Sequence, residues 1–322
     1  MTFKEHFKKM RKKEYAAGDK CERMFKHKEL PVSLKLKLTR VDLRSIKQYG
    51  IEVAEPDASD LKEINKRDIK FLKDTLGVHS GCGHTLPRLM CNWTDYETTA
   101  MLSTANTLNK NHKMEDTRYP KMLEKLRKQI PEGNHTPLKT YATRISECWP
   151  EAITQGNKTA NRRQIIKHWR DKLTTELRHK TRYHLAVRHY QPRFDGRDPL
   201  LNEISCRQAT RFINTVAGGN EFTFEKGKQL CPACGAEDDI YHTFNECECL
   251  SEEEKEAVYV ALDTELEVSE RKDAVTRTIG IELNREQHAQ QNALRTKNNL
   301  KGKFLTIKGG KMTLRAWQRN RA

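Results

Sequence analysis

The sequence predicts a mainly α-helical fold: a helical region, followed by a small cysteine- and histidine-rich module and a flexible basic tail. Three observations predict it. Apolar residues recur at three- and four-residue spacing in several stretches, the period of a helix with one buried face. Asp, Pro and Gly stand where those stretches should start and stop. Late in the chain, a cluster of cysteines with one histidine interrupts the pattern.

Taken in order, residues 1–28 are charge-rich and weakly patterned, which predicts a basic helical arm, frayed when alone. Residues 29–130 form a first packed unit. Its best-marked helix carries Leu61, Ile64, Ile69, Leu72 and Leu76 at helical spacing, with Asp60 and Glu63 as a capping box and Gly77 as the stop. A second helix is expected from Tyr96 to about Leu108. A third opens at Pro120, turns Met122, Leu123, Leu126 and Ile130 inward, and closes at Pro131. Residues 131–219 are a basic helical region that begins with a linker at 131–137. Within it Ile165, Ile166, Trp169, Leu173 and Leu177 form an apolar stripe, and Leu201, Ile204, Ala209, Phe212, Ile213 and Val216 mark a further helix ending at Gly218 and Gly219. The cysteine-rich module spans 220–250. An acidic helical segment follows over 251–291, and 292–322 is the basic flexible tail.

The balance of 60 Lys+Arg against 44 Asp+Glu leaves a formal charge of +16 and a pI near 9.4. That is the electrostatic footprint of a polyanion binder, with nucleic acid as the first expectation. With 36% hydrophobic residues, 32% charged residues and a mean hydropathy of −0.87, the core must be lean and the surface dense with charge. No membrane partner is expected, because no stretch approaches the ~18 apolar residues of a span and no helix opposes an aromatic face to a lysine face. The basic start, residues 1–13, has no apolar segment after it, and the nine cysteines are not spaced as a disulfide framework. An intracellular, reducing compartment is therefore expected, nucleus or cytoplasm.

The module reads Cys231-Pro-Ala-Cys234, seven residues, His242, four residues, Cys247. Two thiolates separated by two residues can reach about 2.3 Å from one ion on a tight knuckle, for which Gly235 supplies the permissive backbone. Asp238 or Asp239 can cap a short helix from which His242 and Cys247 complete a tetrahedron. Cys231, Cys234, His242 and Cys247 are thus the candidate ligands of one structural zinc ion, with Cys249 an alternative to Cys247 as the fourth. A site filled by three sulfurs and a ring nitrogen leaves no position for substrate. A looser group, His79, Cys82, His84 and Cys91, has too short a Cys82 to His84 gap for an easy joint bite and reads as a loop. Cys21, Cys148 and Cys206 read as core or surface thiols.

Candidate nucleic-acid contacts lie around the apolar stripe. Arg162, Arg163, Lys167, Arg170, Lys172, Arg178, Lys180 and Arg182 occupy its other faces and offer sequence-independent phosphate contacts. Trp169, Tyr183 or Tyr190 are candidates to stack on unpaired bases, with burial the competing reading for Trp169. The acidic helix 251–270 is a candidate docking element for a basic protein.

The module and what precedes it resemble the C-terminal part of reverse transcriptases from non-LTR (LINE-type) retrotransposons. Two stretches carry the resemblance. One runs from Leu30-Pro-Val-Ser-Leu-Lys-Leu-Lys-Leu through Lys47-Gln-Tyr-Gly-Ile-Glu52 to the helix Leu61–Gly77. The other is Arg207–Gly218 followed by the C-x2-C-x7-H-x4-C segment. The resemblance implies thumb and connector elements around Leu61–Ile130, metal ligation by Cys231, Cys234, His242 and Cys247, and RNA or an RNA:DNA duplex as the nucleic acid. The sequence departs from the family in its polymerase centre, which needs an aromatic-x-Asp-Asp hairpin and a further carboxylate to hold two metal ions. The single Asp-Asp pair, Asp238-Asp239, lies inside the zinc loop with no apolar strand to present it. Pro56-Asp57 and Asp60-Leu61-Lys62 mimic the letters of a related nuclease, but the second group falls on the first turn of a helix. A nucleic-acid-binding, non-enzymatic portion of such a protein is the expectation, and a zinc-stabilised protein adaptor is the alternative.

Overall fold

The computed structural model describes residues 3–48, 56–128, 141–145, 158–179, 187, 190–192, 196–217, 231, 234–236 and 242–306. Among the described residues the secondary structure is helical, without a strand. Helix α1 (Phe3–Lys26) leads into α2 (Val32–Thr39), which passes through a π-helical turn (Arg40–Arg44) into α3 (Ser45–Gln48). Then come α4 (Ala58–Leu76), α5 (Thr85–Met90), α6 (Tyr96–His112), α7 (Tyr119–Lys128) and α8 (Lys158–Arg178). The chain continues with α9 (Leu200–Glu203), α10 (Cys206–Val216), a second π-helical turn (His242–Glu246), α11 (Glu252–Leu262) and α12 (Val268–Thr306).

Local signals set the boundaries. Asp57 caps α4 by accepting from the amide of Asp60, so the helix starts three residues before the expected capping box at Asp60. It stops at Gly77, whose φ of 68° is the left-handed conformation that a side chain would disfavour. Asp95 caps α6 through the amide of Thr98. The helix expected over 201–216 is two: Ser205 and Gln208 form a capping box that breaks the chain between α9 and α10.

One core joins α2, α4, α5, Trp93, the α8 stripe and α9 to α12. The stripe is buried as expected, since Ile165, Ile166, Trp169, Leu173 and Leu177 are all 2% exposed or less. A smaller core sets Phe7 and Met10 of α1 against Ile64, Tyr96, Ala100 and Tyr141. The first 28 residues are therefore more than an arm: Phe7, Met10, Glu14 and Cys21 recur on one buried side of α1. Two further expectations change. Met122 on α7 is 48% exposed rather than inward, while Leu123, Leu126 and Ile130 have side chains outside the described residues. Residues 292–306, expected as the start of a flexible tail, continue α12; no proline lies between Val268 and Thr306 to stop it.

Buried charges tie these elements together. Glu14 meets Lys47 at 3.4 Å and Arg67 at 3.1 Å, and Lys47 also reaches Asp68 at 2.7 Å. Trp93 donates its indole N–H to Asp68 at 2.9 Å, with the Arg44 guanidinium 4.6 Å from its ring. In a second buried cluster, Arg271 of α12 forks onto both oxygens of Asp198 at 2.9 and 2.7 Å, and the Tyr190 hydroxyl donates to the same carboxylate.

Candidate metal centre and basic face

The four ligand candidates converge. Cys231, Cys234, His242 and Cys247 present one ligand atom each, all within 4.8 Å of one another. The Cys231 and Cys247 sulfurs are 3.9 Å apart, close to the ~3.8 Å edge of a tetrahedron with bonds of ~2.3 Å to a central ion. Cys234 Sγ lies 3.1 Å from His242 Nε2. These residues lie close enough together to hold one metal ion.

The backbone explains the convergence. The Cys231 amide donates to Ala236 O at 2.7 Å and the Gly235 amide to Cys231 O at 2.8 Å. This ring closes the knuckle, and Gly235 takes the required positive φ of 80°. His242 opens the second π-helical turn, and the Cys247 amide donates to His242 O at 2.9 Å. In an α-helix, residues five apart would point about 140° away from each other. The i to i+5 hydrogen bond of a π turn brings such a pair toward one side. A short α-helix was the expected carrier of His242 and Cys247; the wider turn replaces it. Asp238 and Asp239, its expected caps, lie outside the described residues.

Of the two candidates for the fourth ligand, Cys247 is the one whose sulfur joins the converging group; Cys249 is not part of it. Burial pushes the Cys247 thiol up to about 12, with the Cys231 and Cys234 sulfurs adding to the effect. A divalent cation held among them would reverse that balance by supplying the positive charge that three neighbouring thiolates need. The loop is anchored from behind by Phe244, 2% exposed in the main core, and by the Tyr259 hydroxyl of α11, which donates to Asn245 Oδ1 at 2.8 Å.

Comparison with protein-family models, curated proteins and solved structures finds no match to this chain.

The basic face divides. Arg162, Arg163, Lys167, Lys172 and Arg178 are exposed on α8. Arg163, Lys167 and Arg178 border one groove with Thr174, Gln191 and Pro192. Arg170 differs: it is 7% exposed and donates to Gly196 O at 3.1 Å. Lys180 and Arg182 lie outside the described residues, as does Tyr183. Of the stacking candidates, Trp169 is buried in the core, and Tyr190 is 1% exposed with its hydroxyl held by Asp198.

The remaining candidates have local partners. His79 Nδ1 accepts from the Gly81 amide, and His84 Nε2 sits 3.8 Å from Glu176. Burial pushes the thiols of both Cys82 and Cys91 up to about 12. Asp57 is a helix cap and Asp60 pairs with Arg11. Cys148 lies outside the described residues, while Cys21 and Cys206 are buried.

Sequence reasoning missed the buried acids Glu14, Asp68 and Asp198. Their partners are brought in by folding, and no local spacing advertises them.

Proposed function

We propose that this chain is a zinc-containing nucleic-acid-binding protein that grips RNA or an RNA:DNA duplex through phosphate contacts. In this reading it corresponds to the C-terminal portion of a non-LTR retrotransposon reverse transcriptase-like protein that lacks the polymerase centre. One observation carries it: α8 buries its whole apolar stripe while holding Arg162, Arg163, Lys167, Lys172 and Arg178 outward. A cationic rod fixed on a packed core is pre-organised for a polyanion, since few degrees of freedom remain to be lost on binding. The net charge of +16 supports the same partner.

Zinc is the ion that fits the donor set. Thiolates select soft or borderline metals, and three sulfurs with one imidazole form a closed tetrahedral site, the pattern of structural zinc. When bound, the ion supplies folding energy. Cys231 and Cys234 hold the knuckle, while His242 and Cys247 hold the π turn against α11.

The test is a salt series of binding titrations with labelled RNA and RNA:DNA duplex. With four or five phosphate contacts, affinity for the duplex should fall roughly 10²-fold or more between 50 and 200 mM salt. An R163E/K167E variant should bind more weakly with a shallower salt slope. Affinity indifferent to salt overturns the reading.

A second reading, a metal-stabilised protein adaptor, is favoured by Glu252, Glu253 and Glu256, which are exposed on the helix that braces the metal loop. Partners retained after nuclease treatment would support it over the first.

A further inference from the structure

A groove bordered by α1, α4 and the start of α10 contains a side-chain pair that neither the metal loop nor the basic face uses. Lys35 of α2 is 1% exposed, and among the described residues its Nζ meets Phe25 O at 3.0 Å and Cys206 Sγ at 3.2 Å. Cys206 is the first residue of α10 and 4% exposed. Both side chains line the groove, whose volume of about 1230 Å³ admits small solutes.

The pairing is chemically unusual. A buried ammonium normally has a carboxylate partner, and here a carbonyl and a thiol take its place. A nitrogen held 3.2 Å from the sulfur is already at the separation from which a bond can form. The two residues are 171 positions apart in sequence, so this proximity is a product of the fold.

We propose that Lys35 and Cys206 form a reversible covalent N–S cross-link, a sulfenamide, when the protein meets hydrogen peroxide. In the first step the Cys206 thiol takes one oxygen from the peroxide, giving a sulfenic acid and one water; sulfur is oxidised by two electrons and the peroxide is reduced. In the second, Lys35 passes one ammonium proton to solvent and its freed lone pair attacks Sγ. The N–S bond forms as the S–O bond breaks, and the departing hydroxide takes a proton from Nζ to leave as water. A thiol reductant returns the amine and the thiol. The product staples α2 to α10 and constrains the unfolded chain as a disulfide would.

The test uses the full-length, metal-loaded protein treated with a few equivalents of hydrogen peroxide, then peptide mapping by mass spectrometry. The expected result is one joined peptide containing Lys35 and Cys206, about 2 Da lighter than its two parts together and released by dithiothreitol. The melting temperature should rise on treatment and return on reduction. C206S should show neither effect. K35R should let Cys206 proceed to a sulfinic acid, about 32 Da heavier. If K35R does not fold, wild-type mapping against C206S decides. Wild-type Cys206 left unmodified, or over-oxidised with no joined peptide, overturns the proposal.

Discussion

At the scale of single residues, buried charges cross-link helices that the apolar core also joins. Asp68 and Glu14 share one network but move in opposite directions. Burial works against the charge of Asp68, yet Lys47, Arg44 and the Trp93 indole hold its carboxyl below the ordinary value of 3.8. For Glu14, burial outweighs Lys47 and Arg67 and raises the carboxyl above its usual 4.5. A depressed carboxyl contributes stability that is present above its ordinary value and lost as pH falls through the lowered one. D68N should therefore lose about 3–5 kcal/mol at neutral pH, because it leaves Lys47 buried with less counter-charge. Urea unfolding across pH should show the gap to wild type holding down to pH 3.8 and closing only below it; a gap that closes near neutrality would contradict a charged Asp68. None of this network was legible in the sequence. Asp68 and Lys47 are 21 positions apart, and Asp198 and Arg271 are 73 apart, so each reads alone as one more solvated charge. The convergence of Cys231, Cys234, His242 and Cys247 was legible because the chemistry of a knuckle is written within a few residues of itself.

At the scale of elements, legibility follows how far local and tertiary signals agree. The α8 stripe was readable in full, since its apolar period runs unbroken through a cationic sequence. The division between α9 and α10 was not, because the spacing of Leu201, Ile204, Ala209 and Phe212 carries the same period across the break. Ser205 and Gln208 held the missing signal. Their reciprocal capping satisfies backbone amides that would otherwise face the break unpaired. S205A should cost about 1 kcal/mol and S205N much less, as read by thermal melting; equal stability for wild type and S205A would mean that packing alone sets this boundary. Helix α1 was under-read for a related reason. Its lysines and arginines mask the recurrence of Phe7, Met10, Glu14 and Cys21, which face a core built by segments far along the chain. The π turn at His242–Glu246 has no sequence signature apart from the ligand spacing that it serves.

At the scale of the whole molecule, the metal loop is part of the main core through Phe244, so its stability is coupled to that of the rest. Purified protein should contain about one zinc per chain. A strong chelator should lower the melting temperature of the cooperative transition as a whole. Retention of the original melting curve after complete metal removal would show that the loop folds without an ion. The same core holds the base of α12, through Arg271, Ala274, Val275, Thr278, Ile279 and Ile281. Beyond Ile281 the side chains described at Leu283, Asn284, Gln287, Gln291 and Leu294 are exposed, yet the helix runs on to Thr306. Twenty-five further residues at ~1.5 Å each make a helical arm of roughly 37 Å. With its root at Ile281, such an arm is a mechanical amplifier: a tilt of about 10° there would sweep its far end through roughly 6 Å.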